Sequence, residues 1–166
     1  SYKVLLDEDP HIKADIIVLV ADASNLKRNL LFCSQIIDLK RPIVIALTMM
    51  DIARKNNIQV DIAGLERELG VLIIPVNPRK NKGIAQLKKA IGQKAENLNL
   101  FAERDFINVE PMAPAAIQKV QQLFPELSNY QAIHYLINHE KFSLDEKAQE
   151  AIEAIKAGKT IIVVDD

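Results

Sequence analysis

The stretch Ile43-Val44-Ile45-Ala46-Leu47-Thr48-Met49-Met50-Asp51 decides the fold predicted for this chain. It begins with an uninterrupted apolar run rich in β-branched residues, which is typical of a strand buried on both faces of a parallel sheet. Asp51 follows where such a strand gives way to a helix. In open α/β sheets, small molecules bind at the carboxyl ends of parallel strands. The stretch therefore predicts a strand and a ligand position at its end.

Two further apolar runs flank this strand. Residues 16–21 predict a strand buried on both faces, and residues 71–76 predict a third strand. Helical patterns separate the runs: one begins at an N-cap provided by Ser24 or Asn25, and another is capped by Asp61 and closed by Gly70. A third, long amphipathic helix follows Gly83. Strands that alternate with helices predict an α/β fold with a parallel sheet.

The pattern changes to helices alone after about residue 105. Three helices are predicted, over 114–124, 128–140 and 143–157. Ser128 and Ser143 suit N-caps, and Glu146 would complete a capping box with Ser143. Residues 161–164 have the composition of a strand. We therefore predict two domains, an α/β domain over 1–104 and a small helical bundle with a strand-like tail over 105–166.

Composition excludes several classes of function. The chain is 49% hydrophobic and 26% charged with a net charge of -1, which is ordinary for a globular protein and gives no reason to expect nucleic acid as a partner. The single cysteine, Cys33, cannot form an internal disulfide, which favours a reducing, cytoplasmic compartment. No apolar run approaches the roughly 18 residues of a membrane span. His134 and His139 do not share a helical face well, so no metal site is predicted.

Asp51 follows Thr48 at the spacing of the Asn-x-x-Asp motif with which GTP-binding proteins read the base. A carboxylate can accept parallel hydrogen bonds from the ring N–H and the exocyclic amine of guanine, whereas adenine offers no such pair of donors. The other interpretation is that Asp51 caps the helix that begins there. Both interpretations remain open at this point.

The third predicted strand ends in Val76-Asn77-Pro78-Arg79, one βα unit after Asp51. This is the equivalent position for a second base-contacting loop, from which a backbone N–H can donate to guanine O6. Together the two strand ends predict a guanine site of six residues: Thr48, Met49, Asp51, Asn77, Pro78 and Arg79.

The sequence resembles the GTPase domain of the FeoB family of bacterial ferrous iron transporters over about residues 1–100. The stretches that carry the resemblance are Val20-Ala21-Asp22-Ala23-Ser24-Asn25-Leu26-Lys27-Arg28-Asn29-Leu30, Ala46-Leu47-Thr48-Met49-Met50-Asp51-Ile52-Ala53, Pro75-Val76-Asn77-Pro78-Arg79 and Lys82-Gly83-Ile84. The resemblance implies a GTPase-like, P-loop type sheet and a parent protein that binds GTP or GDP with Mg²⁺. It also implies that the helical segment leads to a membrane domain, on the cytoplasmic side of the bacterial inner membrane.

Two departures from the family limit what the chain can do. Thr48 stands where the family has an asparagine whose amide helps to hold the base-binding loops together. The sequence also contains no Gly-x-x-x-x-Gly-Lys-Ser/Thr phosphate loop, because Gly158-Lys159-Thr160 lacks the upstream glycine. We therefore expect a piece of a longer region that has no catalytic residues, does not hydrolyse GTP by itself and holds no nucleotide firmly.

A partial sheet also predicts an exposed edge. In a GTPase fold, the strand with the phosphate loop lies beside the strand at 16–21, so that strand would lack a neighbour here. Residues 161–164, or the same edge of a second copy, are the expected partners. The alternative to a nucleotide-binding region is accordingly a non-catalytic module for protein interaction or self-association.

Overall fold

The computed structural model describes residues 14–96, 102, 104–141 and 144–158. These residues divide between two compact units, an α/β unit within 14–106 and a helical unit from 107 onward. The strand predicted at 161–164 lies outside the described residues. No helix in the described ranges is long and apolar enough to cross a membrane.

Among the described residues, three parallel strands form the sheet of the α/β unit: β1 (Ile17–Asp22), β2 (Ile43–Thr48) and β3 (Leu72–Pro75). Their order in the sheet is β1-β2-β3, so β2 is central. The register pairs Ile17 with Ile43 and Asp22 with Thr48. The predicted α/β fold with a partial parallel sheet is confirmed.

Helices connect and follow the strands. They are α1 (Leu26–Ile37), α2 (Met50–Lys55), α3 (Ile62–Leu69) and α4 (Ile84–Glu96). Asp61 caps α3 by accepting a hydrogen bond from the Gly64 N–H, and Gly70 ends it at a φ of 65°, both as predicted.

Of the two N-caps predicted for α1, Asn25 is confirmed in position and Ser24 is wrong. A 3-10 turn, Ala23–Asn25, precedes the helix, and Asp22 caps this turn. Asn25 occupies the N-cap position of α1 but makes no capping bond with its side chain. The carboxylate of Asp22 accepts hydrogen bonds from both the N–H and the hydroxyl of Ser24, and Ser24 therefore donates where it was expected to cap.

Burial divides the sheet unequally. Residues 43–47 of β2 are all buried, as is typical of a central strand in a parallel sheet. In β1 only one face is buried, and it carries Leu19 and Ala21. Val18 and Val20, on the other face, are 38% and 63% exposed. The prediction that both faces of this strand are buried is wrong.

The helical unit contains α5 (Pro114–Leu123), α6 (Asn129–Asn138) and α7 (Glu146–Lys156). Its core is apolar and includes Ile117, Val120, Ala132 and Ile152. These helices confirm the predicted bundle.

The helix caps of this unit differ in part from prediction. Ser128 caps α6, as predicted, and forms a capping box with Gln131 that the sequence analysis missed. The box predicted for Ser143 and Glu146 is wrong, because Asp145 is the N-cap of α7 and accepts from the Ala148 N–H at 2.7 Å.

Candidate functional site

The carboxyl ends of the three strands meet at one edge of the sheet. Asp22, the last residue of β1, pairs with Thr48, the last residue of β2. The N–H of Val76 donates to the Leu47 carbonyl at 2.8 Å, which continues the pairing of β2 and β3 by one step. The loops that begin with Met49 and Asn77 therefore leave neighbouring strands side by side, as a parallel sheet requires.

Thr48 joins two of these strand ends. Its hydroxyl donates to the carbonyl of Ala21 at 3.0 Å, across the β1–β2 pair. A hydroxyl has one proton, so this bond uses its donor and leaves only acceptor capacity for other groups. Sequence reasoning placed Thr48 in the site but missed this bond, since nothing in the local sequence shows which neighbour a threonine will face.

The chain turns sharply at Met49. This residue has a φ of 57° and a ψ of 25°, in the left-handed region that non-glycine residues seldom occupy. Its carbonyl accepts the first hydrogen bond of α2, from the Ala53 N–H at 3.0 Å, so Met49 is the N-cap although its side chain makes no capping bond. The side chain is 42% exposed, which presents an apolar surface beside the strand end.

Asp51 lies within the first turn of α2 and is exposed. Because Met49 is the N-cap, the interpretation of Asp51 as the helix cap is wrong. Its carboxylate has neither a hydrogen bond nor an ion pair with any described residue, while its position in the first turn suits a negative charge. The structure thus leaves this acceptor available to a ligand.

Hydrogen bonds of its own backbone and of the Asn77 side chain close the loop that begins at Asn77. Asn77 and Lys82 exchange two backbone hydrogen bonds of 2.9 and 3.1 Å. The Asn77 side chain accepts from the Lys80 N–H at 3.1 Å and caps the 3-10 turn Pro78–Lys80, in which Pro78 and Arg79 are exposed. The amide oxygen of Asn77 therefore shapes the loop, and the exposed surface comes from the residues after it.

Gly83 permits this loop to fold back onto β3. It has a φ of 78°, and a Cβ built there would lie 2.1 Å from the Pro75 carbonyl oxygen and 3.1 Å from the Val76 Cα. Backbone atoms cannot yield as a flexible side chain can, so any other residue would displace the loop. The glycine predicted only as the start of a helix thus also sets the position of the second loop.

Two other titratable side chains belong to neither of these loops, and burial shifts the pKa of each. Burial raises the pKa of the Cys33 thiol, which keeps it neutral and unreactive. In the helical unit, burial lowers the pKa of the His134 imidazole. No cluster of three or more metal-ligating side chains exists among the described residues.

With this geometry in place, the chain can be compared with known proteins. A model of the family described as ferrous iron transport protein B matches residues 2–91. The chain belongs to this family. The Fe(2+) transporter FeoB of Escherichia coli K12 is 42% identical to it over 87 residues, which are 52% of this chain and 11% of that protein. The match thus spans about a tenth of the length of the transporter.

Solved FeoB structures share the fold. The FeoB G-domain of Methanococcus jannaschii is 34% identical, with a TM-score of 0.53 over 57% of this chain and 58% of that one. A mutant NFeoB of S. thermophilus bound to GDP is 24% identical, with a TM-score of 0.67 over 93% of this chain and 61% of that one. The second match extends the likeness of fold to nearly the whole chain. The GTPase-like sheet followed by a helical bundle is therefore confirmed.

Proposed function

We propose that this chain is the base-binding part of the cytosolic GTP-binding region of a bacterial ferrous iron transporter, together with its helical domain. The observation that carries this proposal is the exposed carboxylate of Asp51, which has no partner among the described residues and lies in the helix that follows β2, the strand beside β3. Membership of the FeoB family supports the proposal, as does the GDP bound to a relative of the same fold.

In this proposal Asp51 selects guanine. Its two oxygens accept from the ring N–H and the exocyclic amine, a pair of donors that adenine lacks. Met49 contributes apolar surface beside the base, and the turn begun by Asn77 and Pro78 presents the backbone N–H of Arg79 toward O6. Thr48 supports the corner by fixing the end of β2 to Ala21, in place of the asparagine amide that its relatives use.

We further propose that the chain alone does not hydrolyse GTP. Phosphoryl transfer depends almost entirely on positioning the phosphates and Mg²⁺, and the sequence has no phosphate loop to do so. GTP or GDP with Mg²⁺ would thus bind firmly only where the phosphate-binding part of the domain is present. The partner of the helical domain in the native transporter would be its membrane domain, at the cytoplasmic face of the inner membrane.

A nuclear magnetic resonance titration with GDP and with ADP tests base selection. We expect GDP to shift the amide signals of Asp51, Ile52 and Arg79 with an affinity weaker than micromolar, and ADP to leave them in place. The Asp51→Asn variant should weaken GDP binding by about tenfold or more, because a charged acceptor of two hydrogen bonds is lost. The Glu126→Gln variant removes an equally exposed charge in the helical unit and should bind GDP unchanged.

The outcomes separate the parts of the proposal. Equal binding of GDP and ADP would contradict the guanine site. So would an Asp51→Asn variant that binds GDP as tightly as the chain without substitutions, here called the parent chain. Calorimetry that shows sub-micromolar GDP binding, or release of phosphate from GTP above the buffer rate, would contradict the proposed dependence on an added phosphate-binding part. The base site would survive this second result.

The second candidate function is self-association. It is favoured by one observation: β1 lies at the edge of the described sheet and exposes Val18 and Val20. An edge strand with unpaired backbone groups and apolar side chains is a template for pairing with another chain. A homodimer formed through β1 would bury both the edge and these valines.

A further inference from the structure

A buried polar cluster holds the segment that leads out of the α/β unit. The described residues of this segment, 102 and 104–106, are here called the exit segment, because the helical unit begins at the next residue. The exit segment contacts the turn that ends α1, where Asp38 and Lys40 lie. It has no regular secondary structure, so its position depends on these contacts.

Asp38 is the buried half of the cluster. It is 0% exposed, and its two carboxylate oxygens accept from the Phe106 N–H at 3.0 and 3.1 Å. The Lys40 ammonium lies 3.9 Å from the same carboxylate. A carboxylate is rarely buried without strong partners, because removing its charge from water is costly. The exit segment supplies one of those partners through its backbone.

Lys40 is the second half of the cluster, and it binds the exit segment at three points. Its ammonium donates to the carbonyls of Ala102 and Arg104 at 3.0 and 2.9 Å, and it forms an ion pair of 2.7 Å with Asp105. The three donors of a lysine ammonium are thereby matched by three oxygens on one short segment. Ala102 is buried, although it belongs to a connection.

The backbone conformation of Lys40 also indicates that its side chain serves to hold the exit segment. Its φ is 52°, in the left-handed region that favours glycine, at the turn where α1 ends. A glycine would make this turn without strain, so the turn by itself gives no reason for a lysine. The contacts of the ammonium do give one, because they are made only by a side chain that starts from this position.

We propose that Asp38 and Lys40 act as a clamp that fixes the exit segment on the α/β unit, and that release of this clamp frees the connection to the helical unit. The clamp is a positioning device and touches no ligand. Its state would decide whether the exit segment is held on the α/β unit. The exposed ion pair of Arg104 with Glu68, at 3.5 Å, lies on the same segment and provides a natural comparison.

Hydrogen exchange of the Phe106 amide in the full chain, followed by nuclear magnetic resonance, tests the clamp. In the Lys40→Gly variant the strain of the turn is relieved but the three contacts are lost. We expect the Phe106 amide to exchange at least about tenfold faster, as the loss of charged hydrogen bonds requires. The amide of Ile45 in β2 reports on the rest of the unit and should keep its protection.

The matched control is Asn57→Gly, which relieves the same left-handed conformation at a φ of 57° in an exposed residue away from the exit segment. It should leave the Phe106 amide unchanged. Equal exchange in the two glycine variants would overturn the clamp. If Lys40→Gly also speeds exchange at Ile45, two substitutions at exposed residues, Asp105→Asn and Glu68→Gln, decide. The clamp requires the Phe106 amide to exchange faster in Asp105→Asn than in Glu68→Gln. Equal rates would overturn it.

Discussion

Strands β1 and β2 have nearly the same composition but different surroundings. Both are six-residue, apolar and rich in β-branched residues, and they pair in register along their whole length. Yet β2 is buried from 43 to 47, whereas β1 alternates between buried and exposed residues. The difference lies at the faces of the sheet: β2 is buried on both faces, whereas the face of β1 that carries Val18 and Val20 is exposed. β1 is also the edge strand, with one described neighbour.

The contrast shows what a strand's own sequence can reveal. An exposed face is usually marked by polar residues at alternate positions, but β1 has valines there. Its sequence therefore describes a strand that is covered on both faces, while the structure leaves one face open. Exposed apolar residues on an edge strand indicate a surface suited to a partner, which is the observation behind the second candidate function.

The largest expected effect is on the free energy of unfolding, which a substitution in β2 should lower far more than one in β1. Ile45→Ala in β2 should lower the free energy of unfolding of the α/β unit by about 3 kcal/mol, because it leaves a cavity among fully packed neighbours. Val20→Ala in β1 should change it by less than about 0.5 kcal/mol, since that side chain already faces outward. Urea unfolding followed by circular dichroism measures both, and similar losses would mean that β1 is covered like β2.

The same contrast explains how far the site could be predicted. The spacing of Thr48 and Asp51 and the order of strand and helix placed the two predicted loops at neighbouring strand ends, as the structure has them, because parallel strands bring their carboxyl ends together. That these loops bind guanine stays a prediction. What could not be predicted are the contacts between elements: the Thr48 bond to Ala21 and the bond of Asp22 with Ser24. Such contacts depend on register and rotamer, which local sequence does not encode.

The next largest effect on stability is expected at the Thr48 hydrogen bond that joins the ends of β1 and β2. Thr48→Val keeps the shape of the side chain but removes the hydroxyl that donates to the Ala21 carbonyl. We expect a loss of about 1 kcal/mol in the free energy of unfolding, because a partly buried hydrogen bond between the two strand ends is lost. Ser34→Ala is the control: it removes an exposed hydrogen bond from the hydroxyl to the Leu31 carbonyl within α1, and it should cost a few tenths of a kcal/mol at most. Equal losses in urea unfolding would show that the strand ends do not depend on Thr48.

The smallest effect on stability is expected at the open face of β1, where the change should appear in association. Val20→Lys places a charge on the edge strand, a device by which proteins prevent pairing at sheet edges. The unfolding free energy should change by less than about 1 kcal/mol, which is the range of strand preferences at exposed sites.

Sedimentation velocity over a range of concentrations measures the association itself. If β1 pairs with a second copy, the parent chain forms a dimer and Val20→Lys remains a monomer. Ile137→Lys adds the same charge at an equally exposed apolar residue, 67% against 63%, but on a helix that has no strand edge. It should associate like the parent chain. A parent chain that stays monomeric at high concentration, or two lysine variants that behave alike, would exclude β1 as the interface and leave the exposed valines without a partner in this chain.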